Sequence, residues 1–194
     1  GTRAVRLEVR DSGGLTGSAF QQVIVLDYLP QSSPARVFSN FATAYERRNP
    51  VEYEKLLSAD FVFVFNQYDA SDPEHPTPVQ WSRIDELESA RHLFNHDHVD
   101  GIVLSYSLGE PAPDGQSGWR VRLSNVLSLN TRNENNELYV YQANSYQDFY
   151  LREDPTRLAS DGRPLWVVSR WEDEPISGMK VESTSWGRIK FMYR

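Results

Sequence analysis

The chain has 194 residues, of which 39% are hydrophobic and 12% aromatic, with a formal net charge of -7. This composition supports a folded core and excludes a disordered segment, and no apolar run approaches the roughly 20 residues of a membrane-spanning helix. The acidity disfavours nucleic acids and anionic membranes as partners. The absence of cysteine excludes disulfides, thiolate metal sites and cysteine nucleophiles.

Residues 1–29 have the pattern of a β-hairpin. Apolar and polar residues alternate at 4–10, a glycine-rich turn follows at 11–17, and a second strand-like run covers 20–26. This order resembles the last two strands of an immunoglobulin-like PKD or bacterial Ig-type domain. Because an isolated hairpin is marginally stable in water, the resemblance implies that 1–29 is a remnant of such a domain.

A short linker at 30–33 leads into three predicted helices, which cover 34–48, 50–57 and 81–94. Pro34 suits a first helical turn, and Asn49 is a typical helix cap. Ser82 and Asp85 have the spacing of a capping box. The inner face of the third helix is predicted to carry Ile84, Leu87, Ala90, Arg91 and Phe94.

The rest of the pattern is mainly β. The aromatic and β-branched run 61–65 predicts a strand buried on both faces, whereas 66–80, with its prolines, and 152–163 are predicted loops. Further strands are predicted at 99–108, 119–129, 138–150 and 165–171. The tail 183–194 is predicted as either a short helix from near Ser185, which we favour, or an edge strand. Long strands joined by polar turns predict a curved antiparallel sheet.

Three segments carry a family resemblance, and one of them is the predicted third helix, where Trp81, Arg83, Asp85 and Leu87, followed by Leu93 and Phe94, resemble the family's pattern. Residues 41–63, FATAYERRNPVEYEKLLSADFVF, resemble the opening of nuclear-transport-factor-2-like (SnoaL-like, ketosteroid-isomerase-like) domains, although Asn49 replaces the usual aspartate. Residues 165–173, LWVVSRWED, resemble the ending of a bacterial exported, often lipoprotein-like, subgroup. The resemblance implies an α+β cone at 34–194, with three N-terminal helices on a curved antiparallel sheet, preceded by the hairpin.

The resemblance also implies a ligand pocket in the cone. The candidate lining residues are Tyr45, Trp81, Arg91, Tyr106, Tyr141, Asn144, Tyr146 and Trp171. A ketosteroid-isomerase-like site needs a carboxylate base and an oxyanion donor, but the late strands offer tyrosines without a well-placed acid. The alternative is that the tyrosines pack as core aromatics. Arg91 would hold an anionic ligand or pair with a neighbouring acid.

No strong metal or cofactor motif is present. His92, His96 and His98 are close in sequence, and the first two share a helix face, so they are weak metal-ligand candidates. A polar helix end is the simpler reading. The acidic residues of loop 66–80 lack the spacing of a calcium loop. Dinucleotide, Walker A and nucleophile-elbow motifs are absent, and we predict no cofactor.

The favoured hypothesis is a non-catalytic ligand-binding or interaction domain of an exported, multidomain bacterial protein that is periplasmic, on the cell surface or lipid-anchored. It would bind a small apolar or anionic molecule. The alternatives are a SnoaL-type isomerase, hydratase or cyclase, recognised by a buried carboxylate paired with a tyrosine, and a structural module attached to Ig-like repeats.

The resemblance further predicts a homodimer through the convex face of the sheet. Arg120, Arg122 and Ser128 would weaken such a dimer if they lie on that face. Tyr139 and Phe149 would favour it if they face the same way.

Overall fold

The computed structural model describes residues 2–24, 28–74, 76–95, 97, 99–115, 118–132, 136–174 and 185–194, with the backbone alone at 2–7 and 19–24. The elements in chain order are β1 (Thr2–Arg10), β2 (Thr16–Ile24), α1 (Pro34–Glu46), α2 (Pro50–Glu54), β3 (Leu57–Val64), α3 (Gln67–Ala70), β4 (Gln80–Ser82), α4 (Arg83–Leu93), β5 (Val99–Leu108), β6 (Ala112–Pro113), β7 (Trp119–Arg132), β8 (Leu138–Leu158), β9 (Pro164–Glu174) and α5 (Trp186–Met192). The fold is α+β, as the sequence predicts.

The N-terminal strands β1 and β2 form the predicted hairpin and pair antiparallel along their whole length. The turn is held by the carboxylate of Asp11, whose Oδ1 accepts from the backbone N–H groups of Gly13 and Leu15, both at 2.9 Å. Gly14 has a φ of 86°, which few residues other than glycine adopt. The assignment of this hairpin to an Ig-like domain stays a prediction.

The segment that precedes α1 is tied to the body of the domain. The Leu29 N–H donates to Asn40 Oδ1, and Asn40 Nδ2 donates back to the Leu29 carbonyl, both at 2.7 Å. Gln31 Nε2 donates to the Lys55 carbonyl at 3.1 Å, and Arg157 donates to Gln31 Oε1 at 3.0 Å. This segment is therefore held against α1, α2 and β8.

The large sheet has seven strands in the order β4-β3-β9-β8-β7-β5, with β6 beside β7. Its pairs are antiparallel except for β3 and β9, which run parallel. We call the face that packs against the helices the inner face; in β7 it carries Val121, Leu123, Leu127 and Leu129, all buried. The opposite side, which carries Arg120 and Arg122, is the outer face.

Local signals set the starts of the helices. Asn49 caps α2, because its side chain accepts from the Glu52 N–H at 3.1 Å. Ser82 and Asp85 form the predicted capping box at the start of α4. Ser185 caps α5 by accepting from the Arg188 N–H at 2.8 Å.

Several predicted boundaries were wrong because tertiary pairing sets them. The predicted loop 66–80 contains α3 and β4, and Trp81 lies in β4 rather than in a helix. The predicted loop 152–163 is largely strand, since β8 continues to Leu158 by pairing with β9. Strand β3 begins at Leu57, and Phe61 and Phe63 are buried whereas Val62 and Val64 are half-buried, so one face of β3 is buried rather than both.

The core is built from aromatic side chains. Trp171 on β9 stacks on Phe149 with ring centroids 4.7 Å apart. Trp186 of α5 meets the Trp171 ring edge-on at 5.1 Å and Tyr45 of α1 at 5.2 Å. The terminal helix therefore inserts an aromatic side chain into the centre of the domain.

Candidate functional site

A buried ion pair lies in the centre of the domain. Glu86 on α4 and Lys190 on α5 are 0% and 1% exposed, and Lys190 Nζ lies 2.5 Å from Glu86 Oε1. The same oxygen accepts from the Tyr53 hydroxyl, and Glu86 Oε2 accepts from Trp81 Nε1 at 3.0 Å. These donors satisfy the carboxylate. Burying it without such partners would cost several kcal/mol.

Lys190 also contacts two aromatic rings. Its Nζ lies 3.4 Å from the ring centroid of Trp171 and 4.3 Å from that of Phe63, which is a cation–π arrangement. Burial lowers the pKa of Lys190 to about 8, although the Glu86 carboxylate opposes this shift. Burial and the nearby Glu86 charge raise the pKa of Tyr53 well above 10, so its hydroxyl is a neutral donor.

A second buried carboxylate, Asp173, lies at the end of β9 and is 3% exposed. Its Oδ2 accepts from the Gly187 N–H at 2.8 Å and from Asn66 Nδ2 at 3.4 Å, and its Oδ1 accepts from Gln147 Nε2 at 2.5 Å. Burial raises the pKa of Asp173 despite these hydrogen bonds, and the charge of Asp69 adds to the increase.

The close approach of Asp173 Oδ2 to the Gly187 backbone requires a glycine in the first turn of α5. A Cβ at Gly187 would lie 2.9 Å from Asp173 Oδ2 and 2.9 Å from the Phe65 ring. Any larger residue would push the helix away from β9. Both buried carboxylates therefore hold α5 in place, one through Lys190 and the other through the Gly187 backbone.

A third polar group on the inner face has different surroundings. Tyr106, Asn125 and Ser145 lie opposite one another on β5, β7 and β8 and form one cross-strand row. Asn125 is 2% exposed, and neither its Oδ1 nor its Nδ2 has a hydrogen-bond partner among the described residues. Partial burial and the charge of Glu46 raise the pKa of Tyr106.

The outer face carries an ion-pair cluster around Asp148. Arg122 Nε donates to Asp148 Oδ1 at 2.8 Å and Nη2 to Oδ2 at 2.5 Å, while Arg120 donates to the same Oδ2. Burial alone would raise the pKa of Asp148, but the hydrogen bonds and charges of the two arginines lower it. Carboxylate oxygens of Glu172 and Glu174 approach this group. Because both Asp148 oxygens accept hydrogen bonds from arginines, we interpret the cluster as an ion-pair network.

This geometry bears on the predicted dimer. Arg120 and Arg122 lie on the outer face, where the sequence analysis expects them to weaken a dimer. Phe149 is buried on the inner face, and Tyr139 lies opposite Thr131 on the same side, so neither supplies apolar area to the outer face. The homodimer stays a prediction.

An open groove of about 440 Å³ lies where β3 and β9 end. Its walls are formed by residues 64–68 and 172–174. Tyr68 is exposed there, whereas Asn66 and Asp173 are buried at its edge. The groove is polar, and none of the predicted pocket residues lines it.

The structure does not bring the predicted pocket residues together. Tyr45, Trp81 and Trp171 are buried in the core. Tyr106 and Tyr141 lie on the inner face of the sheet, whereas Asn144 and Tyr146 alternate with the buried Ala143, Ser145 and Gln147 and lie on the outer face. A single pocket formed by all of them is therefore excluded.

The placement of Arg91 on an inner stripe was wrong, since its side chain is exposed. Ile84 is 77% exposed as well, because the buried stripe of α4 runs through Glu86, Leu87, Ala90 and Leu93. Glu86 thus occupies an inner position on α4 that the sequence pattern did not predict.

Of the three candidate metal ligands, His92 is exposed, and its Nδ1 lies 2.9 Å from the Tyr193 carbonyl oxygen. His96 and His98 lie outside the described residues, so the metal hypothesis stays a prediction. Asp69, in the predicted loop 66–80, accepts hydrogen bonds from Asn66 at 2.7 Å and from Ser185. It thus helps to hold the start of α5.

Sequence reasoning missed Glu86, Lys190, Asp173 and Asn125 as buried polar residues. One signal was present for Asp173, since strand alternation from the inward-facing Trp171 places it on the inner face. Nothing in the local pattern distinguished Glu86 from the other acidic residues of α4.

Comparison with solved structures identifies the class of fold. A nuclear-transport-factor-2-like superfamily protein from Salmonella enterica aligns with 76% of this chain and 92% of its own, with a TM-score of 0.50 and 10% identity. A ketosteroid-isomerase-like protein from Erwinia carotovora aligns with 76% and 96%, with a TM-score of 0.50 and 18% identity. A protein from Kribbella flavida aligns with 81% and 93%, with a TM-score of 0.54 and 11% identity.

The chain therefore has the nuclear-transport-factor-2-like fold, an α+β cone. At these identities the likeness shows the fold alone. No protein-family model matches the chain, and no curated protein matches it in sequence. Among the residues that the structure describes, no helix has the length and apolarity to cross a membrane.

Proposed function

We propose that the chain is a non-catalytic ligand-binding or interaction domain. The main support is the burial of Lys190 in the centre of the cone, where it pairs with Glu86. An enzyme of the ketosteroid-isomerase type needs a carboxylate base that is free to take a proton from its substrate. Glu86 is buried beside a tyrosine, but its oxygens already accept from Tyr53, Trp81 and Lys190. Both oxygens of this carboxylate are therefore already hydrogen-bonded within the fold.

The second buried carboxylate supports the same conclusion. Asp173 accepts from Gly187, Gln147 and Asn66, so its oxygens are also committed to the fold. The two acids together anchor α5 inside the cone. The interior is then used for stability, and binding is left to the remaining inner face, the groove at the end of β9 or the outer face.

The proposal places the domain in a longer, exported bacterial protein. Its support is the resemblance of residues 165–173 to the ending of an exported bacterial subgroup and that of 1–29 to the end of an Ig-like domain.

A SnoaL-type isomerase, hydratase or cyclase is the second candidate. The Glu86–Tyr53 hydrogen bond favours it, because this is the buried carboxylate and tyrosine pair that such an activity requires. The ketosteroid-isomerase-like name belongs to a structure that shares the fold. For this activity Lys190 would have to leave Glu86 and make room for a substrate.

Hydrogen exchange into a carbonyl compound separates the two candidates. We would incubate the full chain with 2-tetralone and with a 3-keto steroid in deuterated buffer and follow deuterium at the carbons next to the carbonyl. The binding domain is expected to leave exchange at the buffer rate, while protein NMR signals shift if the probe binds. Exchange faster than buffer that is lost in Glu86→Gln, with folding verified by circular dichroism, would overturn the proposal.

A further inference from the structure

Among the described residues, Asn125 is the buried residue with two side-chain polar atoms that lack a hydrogen-bond partner. Asn125 is only 2% exposed, and neither its Oδ1 nor its Nδ2 has a hydrogen-bond partner among the described residues. Folded proteins pair nearly all buried polar groups, because an unpaired one costs about as much as a lost hydrogen bond. Asn125 is therefore a group that a ligand can satisfy.

The neighbours of Asn125 make a row that reaches solvent. Ser145 lies opposite it on β8, and Tyr106 lies opposite it on β5. Tyr106 is 38% exposed, so the row runs from an accessible edge strand to a buried centre. The Ser145 hydroxyl accepts from Gln147 Nε2 at 2.7 Å, which leaves its own proton available to a further acceptor.

The chemistry of these groups specifies what fits. The Asn125 amide requires a donor for its Oδ1 and an acceptor for its Nδ2, side by side. A carboxamide or lactam edge presents such a pair, whereas a carboxylate offers acceptors alone. The Glu46 charge near Tyr106 and the overall charge of -7 also disfavour an anion.

We propose that the Tyr106–Asn125–Ser145 row binds a small neutral molecule through a carboxamide or lactam group, which pairs with the Asn125 amide. This inference rests on the proposed binding function and names its ligand class. Arg91, the predicted partner of an anionic ligand, is exposed on α4 and is not part of this row. A buried water that bonds to Asn125 is the competing explanation.

Benzamide and 2-pyrrolidinone are suitable probes, with acetophenone as a probe that lacks the N–H donor. Titrations of the ¹⁵N-labelled full chain are expected to shift the Asn125 side-chain signals with the two amides, and acetophenone is expected to bind at least tenfold more weakly. In Asn125→Leu, amide binding should fall at least tenfold without a decrease in the melting temperature, because the variant removes unpaired polar atoms. Asn144→Leu, on the outer face, is the matched control and should bind normally.

The outcomes distinguish the explanations. Unchanged amide binding in Asn125→Leu would overturn the inference. So would the absence of amide-induced shifts. A lowered melting temperature of Asn125→Leu in addition is the result expected for a buried water. Amide-induced shifts confined to the groove residues 64–68 and 172–174 would overturn this site but leave the proposed binding function intact. Turnover of a bound probe would overturn the proposed function instead.

Discussion

The indole N–H of Trp171 donates to Oε1 of Gln147, and this bond fixes the direction in which the Gln147 amide points. Gln147 Nε2 must then donate to Asp173 Oδ1, while the Gly187 N–H donates to Oδ2. The pocket around Asp173 thus presents donors on both sides. A residue there needs two acceptor oxygens, which a carboxylate supplies and an amide does not.

Asp173→Asn is therefore expected to destabilise the fold by about 1–3 kcal/mol, since its NH₂ group would face another donor at one of the two positions. Urea unfolding at neutral pH measures this change. Asp100→Asn is the control, because Asp100 is exposed and pairs with Arg132 on the surface, and its loss should cost at most about 1 kcal/mol. Equal stability of the two variants would contradict the assigned hydrogen bonds.

Substitutions of Glu86 and Lys190 should have strongly non-additive effects on the free energy of unfolding. Lys190→Met leaves the buried Glu86 carboxylate without its counter-charge, and such a change costs about 3–5 kcal/mol. The double variant Lys190→Met/Glu86→Gln removes the charge as well and is expected to be more stable than Lys190→Met alone. A double-mutant cycle from urea unfolding measures the coupling, and additive changes would contradict a direct ion pair.

The pKa of Lys190 predicts an unusual dependence of stability on pH. It is about 8 in the folded chain and near 10.4 when unfolded, so between these values the unfolded state holds a proton that the folded state has released. The free energy of unfolding should then rise with pH, by at most about 1.4 kcal/mol per pH unit.

The useful range is pH 8 to about 9.5, because the tyrosines titrate above it. Burial raises the pKa values of Tyr45 and Tyr53, so their ionisation in the unfolded chain lowers stability at still higher pH. Urea unfolding across this range gives the slope, and Lys190→Met should abolish it. If the free energy of unfolding still rises with pH in Lys190→Met, the released proton belongs to another group.

Much of the fold could be predicted from the sequence, because local signals define it. The capping box at Ser82, the helix start at Ser185 and the order of the longer helices and strands were all visible as patterns, and the family resemblance of 41–63 and 165–173 implied the cone. The bounds of β5 matched the predicted 99–108. Each of these features depends on residues close in sequence.

The centre of the site could not be predicted in this way. Glu86 is buried because Lys190, which lies 104 residues later, neutralises it, and no local pattern encodes that partner. Its burial also turned the inner face of α4 away from Ile84 and Arg91. Likewise, β8 extends to Leu158 because β9 pairs with it, which depends on the tertiary fold.

The Asp148 cluster on the outer face gives a prediction at acid pH. The two arginines hold the pKa of Asp148 below its ordinary value, so this contribution to stability is present above about pH 4 and is lost as the pH falls through the folded-state pKa. Arg122→Ala removes the bidentate partner and should cost about 1–2 kcal/mol at pH 7, a modest value because Arg122 is half exposed.

The stability difference between the native chain and Arg122→Ala should therefore shrink below pH 4, as Asp148 becomes protonated in both. Urea unfolding at several pH values from 3 to 7 measures it, with Arg163→Ala as the control, because Arg163 pairs with Asp161 on an exposed loop. A difference that stays constant down to pH 3 would mean that Arg122 acts through packing of its aliphatic stem on Tyr146, whose ring centroid lies 5.8 Å from the guanidinium carbon, and that its charge contributes little.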